Sequence, residues 1–122
     1  MLTGHQKPVT AVAFCPNQPG RLASASLDGT VRVWNLLERK EEQKFTGHRD
    51  SAGLRCVAWS RDGGRLATGG NDGEVVVWDA RGNKLCVCEG HGQPVTGVAW
   101  YPLGDRLLTG GEDGSIRIYK VQ

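Results

Sequence analysis

The dipeptide Gly-His occurs at Gly4-His5, Gly47-His48 and Gly90-His91, at a constant spacing of 43 residues. A period of this length restricts the chain to architectures that stack one supersecondary unit on the next, because a single unit cannot bury its own apolar face. Each Gly-His precedes a short apolar run, Val9–Phe14, Leu54–Trp59 or Val95–Trp100, ending Val-Ala-Phe, Val-Ala-Trp and Val-Ala-Trp. A turn rich in Pro and Gly follows each run, over 16–20, 62–64 and 102–105. Then comes Arg-Leu and a second run: Arg21–Ser26, Arg65–Gly70 and Arg106–Gly111. With Gly at 18 and Met at 1, the composition favours tight turns over helices.

Asp28-Gly29, Asp72-Gly73 and Asp113-Gly114 close the second runs. Asp-Gly between alternating apolar runs predicts a two-residue hairpin loop in which both residues take positive φ. Third strands are expected over 30–35, 74–79 and 115–120, with an aromatic in one column: Trp34, Trp78 and Tyr119. Val31 and Val33 alternate with Arg32, and Ile116 and Ile118 with Arg117, which is the period of a half-buried strand. Val75-Val76-Val77 breaks the alternation and predicts burial on both faces. Shorter fourth strands are expected over about 42–45 and 84–88.

With its Gly-His pairs, Asp-Gly turns, period and Trp78-Asp79 ending, the chain resembles the WD-repeat β-propeller family. The other two repeats depart from it, ending Trp34-Asn35 and Tyr119-Lys120. The resemblance implies an all-β fold of three four-stranded antiparallel propeller blades, the last lacking its outer strand. Residues 1–122 then form one segment, with repeats at about 4–46, 47–89 and 90–122. It also implies a hydrogen-bonded tetrad in each blade: His5, Ser24, Asp28 and Trp34; His48, Thr68, Asp72 and Trp78; His91, Thr109, Asp113 and Tyr119. A phenol cannot copy the indole donor geometry, so the third tetrad is expected to be weaker.

Taken alone, Ser24, His5 and Asp28 spell a hydrolase triad. A nucleophile needs exposure, an oxyanion hole and a pocket. A catalytic set would also occur once, whereas this set occurs three times with two Thr among its hydroxyls. The sets are therefore read as structural, and no catalytic residue, metal ligand or cofactor is expected. Gly69-Gly70 and Gly110-Gly111 lie in strands with no helix following, so they read as close-approach glycines, not phosphate loops. No Cys-x-x-Cys is present among Cys15, Cys56, Cys86 and Cys88, which read as small, mostly buried free thiols of a reducing compartment.

A net charge of +2 and scattered Arg make nucleic acid an unfavoured partner, and no apolar run is long enough to span a membrane. No secretory signal is read at the N-terminus. The expectation is a non-catalytic protein-interaction scaffold, cytoplasmic or nuclear. Partners would meet the loop face, at Lys7, Leu27, Arg49, Asp50, Asn71, Gln93 and Glu112. Arg49 and Asp50 belong to a two-residue insertion, since six steps separate His48 from Leu54 but four separate His5 from Val9. The charge run 38–44 reads as a solvated turn and edge strand. Three blades fall short of the roughly four to eight that close a propeller. Both outer flanks should therefore be apolar and open. Either a second copy closes the ring, or the chain is a piece of a larger propeller, serving there as a purely structural segment if the binding surface lies on other blades.

Overall fold

The computed structural model describes residues 1–48, 52–89, 91–102 and 105–121. Among them there are eleven strands and no helix: β1 (Val9–Phe14), β2 (Arg21–Ser26), β3 (Val31–Asn35), β4 (Lys40–Phe45), β5 (Leu54–Trp59), β6 (Arg65–Gly70), β7 (Glu74–Asp79), β8 (Lys84–Glu89), β9 (Val95–Trp100), β10 (Arg106–Gly111) and β11 (Ile116–Lys120). They form three antiparallel meanders, β1-β2-β3-β4, β5-β6-β7-β8 and β9-β10-β11. These are propeller blades, the third lacking a fourth strand among the described residues, and they do not close into a ring. β5 lies beside both β1 and β9, so the first strands of the blades are neighbours.

The hairpins differ from the expected two-residue loop. Gly29, Gly73 and Gly114 have φ of 85°, 78° and 81°, but the Asp before each stays at negative φ. Each glycine N–H closes a turn on the carbonyl three residues back, at Ser26, Gly70 or Gly111 (3.1–3.2 Å). The loop is thus a three-residue one whose last residue is the left-handed glycine, the common next choice for a hairpin. This geometry leaves the Asp carboxylate free to accept the N–H two residues on: Thr30 (2.9 Å), Glu74 (3.0 Å) and Ser115 (3.0 Å). Local self-capping of this kind is what Asp does well in turns.

Strand alternation gives each blade two unlike faces. One face carries large side chains: Val57, Trp59, Leu66 and Trp78 in the middle blade. The other carries small ones: Ala11, Ala13, Ala23, Ala25, Val31 and Val33 in the first. These two sets pack together as one core. A second core joins Cys56, Ala67, Val75 and Val77 to Val98, Trp100, Leu107 and Tyr119. The middle blade is covered on both sides, so Val75, Val76 and Val77 are all fully buried. Two indoles seal the contacts: Trp59 Nε1–H donates to the Ala13 carbonyl and Trp100 Nε1–H to the Ala58 carbonyl, both at 3.0 Å. On blade 1, β4 is a charged edge, with Arg32 Nη1 2.6 Å from Glu41 Oε1.

Two strand glycines make room for a neighbour. A Cβ on Gly69 would lie 2.6 Å from Val95 of the next blade, and one on Gly70 would lie 2.6 Å from the Gly53 carbonyl. Gly110 faces open space. Replacing Trp59 by Phe keeps an apolar ring but removes the donor and part of the filling. It should lower unfolding free energy by about 1–3 kcal/mol in urea denaturation.

Candidate functional site

The Asp-Gly turn and the loop before the first strand of each blade are tied together. Leu27, Asn71 and Glu112 N–H donate to the carbonyls of Pro8, Gly53 and Pro94 (2.9–3.0 Å). That pinning carries each histidine from its loop over the next hairpin. In the first blade His5 Nε2 is 2.6 Å from Ser24 Oγ, His5 Nδ1 is 3.0 Å from Asp28 Oδ2, and Trp34 Nε1–H donates to Ser24 Oγ at 2.8 Å. In the second, His48 Nε2 is 2.6 Å from Thr68 Oγ1, Nδ1 is 3.2 Å from Asp72 Oδ2, and Trp78 Nε1–H donates to Thr68 Oγ1 at 3.0 Å.

In the third blade His91 lies 2.8 Å from Thr109 Oγ1 and 3.1 Å from Asp113. The Tyr119 hydroxyl is buried there with no partner among the described residues. Tyr119 makes no hydrogen bond to Thr109, so the third tetrad lacks the aromatic donor present in the first two.

Direction along the chain of bonds follows from the donor inventory. The indole N–H can only donate, so the hydroxyl accepts it and turns its own hydrogen to histidine Nε2. Histidine Nδ1–H then donates to the carboxylate, which requires a neutral ring. Burial favours the same state at His48, where it pushes the pKa below its ordinary value against the pull of Asp72 and Glu74. At Asp28 burial works the other way. Hydrogen bonds from the Thr30 hydroxyl, the Gln6 and Thr30 N–H groups and His5 outweigh it and hold the carboxyl well below the usual range. At Asp113 the Ser115 N–H and hydroxyl, with His91, bring it to about 2.

This wiring matches a hydrolase triad up to the hydroxyl and departs there. Ser24, Thr68 and Thr109 are 3%, 0% and 2% exposed. In two blades the lone pair that would attack already accepts an indole N–H. Burial raises the Cys56 thiol to about 12. Cys88 also rises to about 12, through burial and then the neighbouring Cys86. Protonated thiols of this kind are poor nucleophiles. All four cysteines are free; Cys15 and Cys56 are buried and Cys86 and Cys88 partly so. Among the described residues no His, Cys, Asp and Glu group suits a metal.

The loop face is continuous across blades. Gly53 sits against Leu27 and Asn71, and Gly73 against the His91 and Gln93 carbonyls. Lys7, Asn71, Gln93 and Glu112 are exposed there and Leu27 is half-buried. Asn71 also accepts Arg55 Nε–H at 2.9 Å. Arg49 and Asp50 lie outside the described residues. Sequence reasoning did not single out Thr30 and Ser115, whose hydroxyls donate to Asp28 (2.6 Å) and Asp113 (2.8 Å). Their position directly after each Asp-Gly was the available signal.

The profile of the WD domain, G-beta repeat family matches residues 1–35, 39–79 and 82–120. The chain belongs to the WD-repeat family. It is 41% identical over 92 residues to coronin-7 of Mus musculus, covering 75% of this chain and 10% of that protein. It is 38% identical over 99 residues to coatomer subunit beta'-2 of Arabidopsis thaliana, covering 78% and 10%. It is 39% identical over 83 residues to small ribosomal subunit protein RACK1y of Oryza sativa subsp. japonica, covering 67% and 24%. The chain therefore spans between a tenth and a quarter of these WD-repeat relatives.

Tyr119→Trp should supply the missing donor to Thr109 and raise unfolding free energy by about 1 kcal/mol in urea. Stability should also depend on pH through His48. Its folded pKa lies below 6.5, so the unfolded chain takes up the proton first and stability falls as pH drops below that value. A second fall follows below 3.8, where unfolded carboxylates protonate while Asp28 and Asp113 resist. Melting temperatures from pH 8 to 3 test both steps, and His48→Asn should remove the first.

Proposed function

We propose that this chain is a non-catalytic protein-interaction scaffold. The observation that carries this reading is the burial of all three tetrad hydroxyls, two of them capped by an indole donor. A linked buried network of this kind fixes geometry, because each polar group left unsatisfied costs free energy. Its product here is a rigid loop face on which Lys7, Leu27, Asn71, Gln93 and Glu112, with Arg49 and Asp50 in the inserted loop, contact protein partners. Free thiols suit a reducing compartment, and the reading places the protein in the cytoplasm.

The open flanks favour a second element of the same reading, in which further blades complete the ring. Val12 and Phe14 on the outer face of the first blade are 59% and 66% exposed, and Ile116 and Ile118 on the last are 75% and 65% exposed. Their counterparts at the internal contacts, Val57, Trp59, Val31 and Val33, are at most 9% exposed. Contiguous apolar surface of this sort marks an interaction site.

Ser24→Ala tests the structural role against the catalytic one. It should lower unfolding free energy by about 1–3 kcal/mol and leave any background hydrolysis of an activated ester unchanged. Loss of a measurable esterase activity at unaltered stability would contradict the proposal.

A further inference from the structure

The two open flanks carry a size pattern that the internal contacts do not. At those contacts the ring ending the first strand is Trp59 or Trp100. Each indole reaches the carbonyl of an alanine, Ala13 or Ala58, paired across the sheet with a second alanine, Ala23 or Ala67. On the open flanks both partners change, in opposite directions. The first blade presents Phe14, a smaller ring, and the third presents Leu108, a larger aliphatic, paired with Ala99. Trp against Ala becomes Phe against Leu, so the smaller ring is offset by a larger aliphatic. Packed cores accept paired exchanges whose size changes run in opposite directions more readily than either change alone.

Three further features agree. Between the second and third blades Val95 sits against Gly69; on the open flanks the same columns hold Val9 and Gly110, again Val against Gly, and Gly110 faces open space. Thr10 Oγ1–H joins the first blade to the second by donating to the Leu54 carbonyl (2.8 Å), and that column recurs as Thr96, exposed on the third blade. Arg21 lies over the Trp59 ring at 5.6 Å, and its column recurs as exposed Arg106. The first blade's flank also holds a cavity of about 330 Å³ lined by Leu2, Val9, Val12, Leu22, Ser24 and Trp34. By the repeat, Ile116 and Ile118 are the side chains placed to enter it, as Val31 and Val33 enter the internal core.

We propose that the occupant of these flanks is a second copy of this chain, docked so that β1 of each copy lies against β9 of the other and two copies close a ring of six blades. This rests on the scaffold reading above and names its partner. Two equal contacts related by a two-fold axis leave no flank open, which is how complementary patches end growth. The register that sets Phe45 opposite Val31 places Leu2 of one copy opposite Ile116 of the other, along the edge of β11 that has no partner strand among the described residues.

Sedimentation velocity on the full chain over a dilution series, with far-UV circular dichroism on each variant, decides the matter. Wild type should sediment as a dimer. Phe14→Trp should overfill the contact and Leu108→Ala should empty it, each weakening the dimer about tenfold or more. The double variant Phe14→Trp, Leu108→Ala recreates the pair used inside the chain and should regain most of the loss, a coupling that only touching residues show. Ile118→Lys, at an exposed site, should give a folded monomer. A folded wild-type monomer, mass rising without limit, indifference to all the substitutions, or additive losses in the double variant would each overturn the second copy as partner. A folded monomer would leave the scaffold reading standing, since that reading is tested by Ser24→Ala.

Discussion

Every other feature of this structure depends on the packing of a large-residue sheet face on a small-residue one. A single four-stranded meander is thin and exposes both faces, so it gains little by itself. Laying Trp59, Leu66 and Trp78 on Ala23, Ala25 and Val33 removes both surfaces from water at once. Burying one such large side chain is worth about 1.5–3 kcal/mol. The small residues matter as much as the large ones, because alanine lets the indole come near enough to hydrogen-bond the neighbouring backbone. The middle blade receives this contact on both faces, and it alone holds an unbroken run of fully buried valines.

The tetrads are the polar counterpart of that packing. Each stitches a loop to a hairpin that is far from it in sequence, and in the middle blade burial favours the neutral histidine. The same four functional groups could serve catalysis in a different setting. Here all three hydroxyls are buried and two of them accept an indole N–H, a setting that suits bracing. Tyr119 shows what the brace requires: it keeps the aromatic packing of its column but leaves its own hydroxyl unpartnered. The tetrads tie down the loop face, since the loops that carry Lys7 and Gln93 are the ones that carry His5 and His91.

Most of the fold was legible in the sequence, because the repeat period, the Asp-Gly pairs and the alternation of Val with Arg each report a local preference. The strands fall within a residue or two of where those signals place them. The hairpin conformation was not legible: Asp-Gly serves more than one loop length, and the choice was made by the carboxylate capping the residue after glycine. Nor did the first-strand motif reveal that its Trp bonds across to the preceding blade, since that partner is a backbone carbonyl and leaves no residue type to read. For the candidate site, the histidine, hydroxyl and Asp columns were visible as recurrences. The contributions of Thr30 and Ser115 were hidden because the equivalent position in the middle blade is Glu74.

If the blades stabilise one another through these faces, they should open together. Native-state hydrogen exchange reads this directly. The account predicts that amides of β6 and β7, covered on both sides, exchange slowest, and that the inner strands of all three blades share a single large opening event under mild denaturant. Three separate opening energies, one per sheet and independent of a substitution in a neighbouring blade, would contradict it.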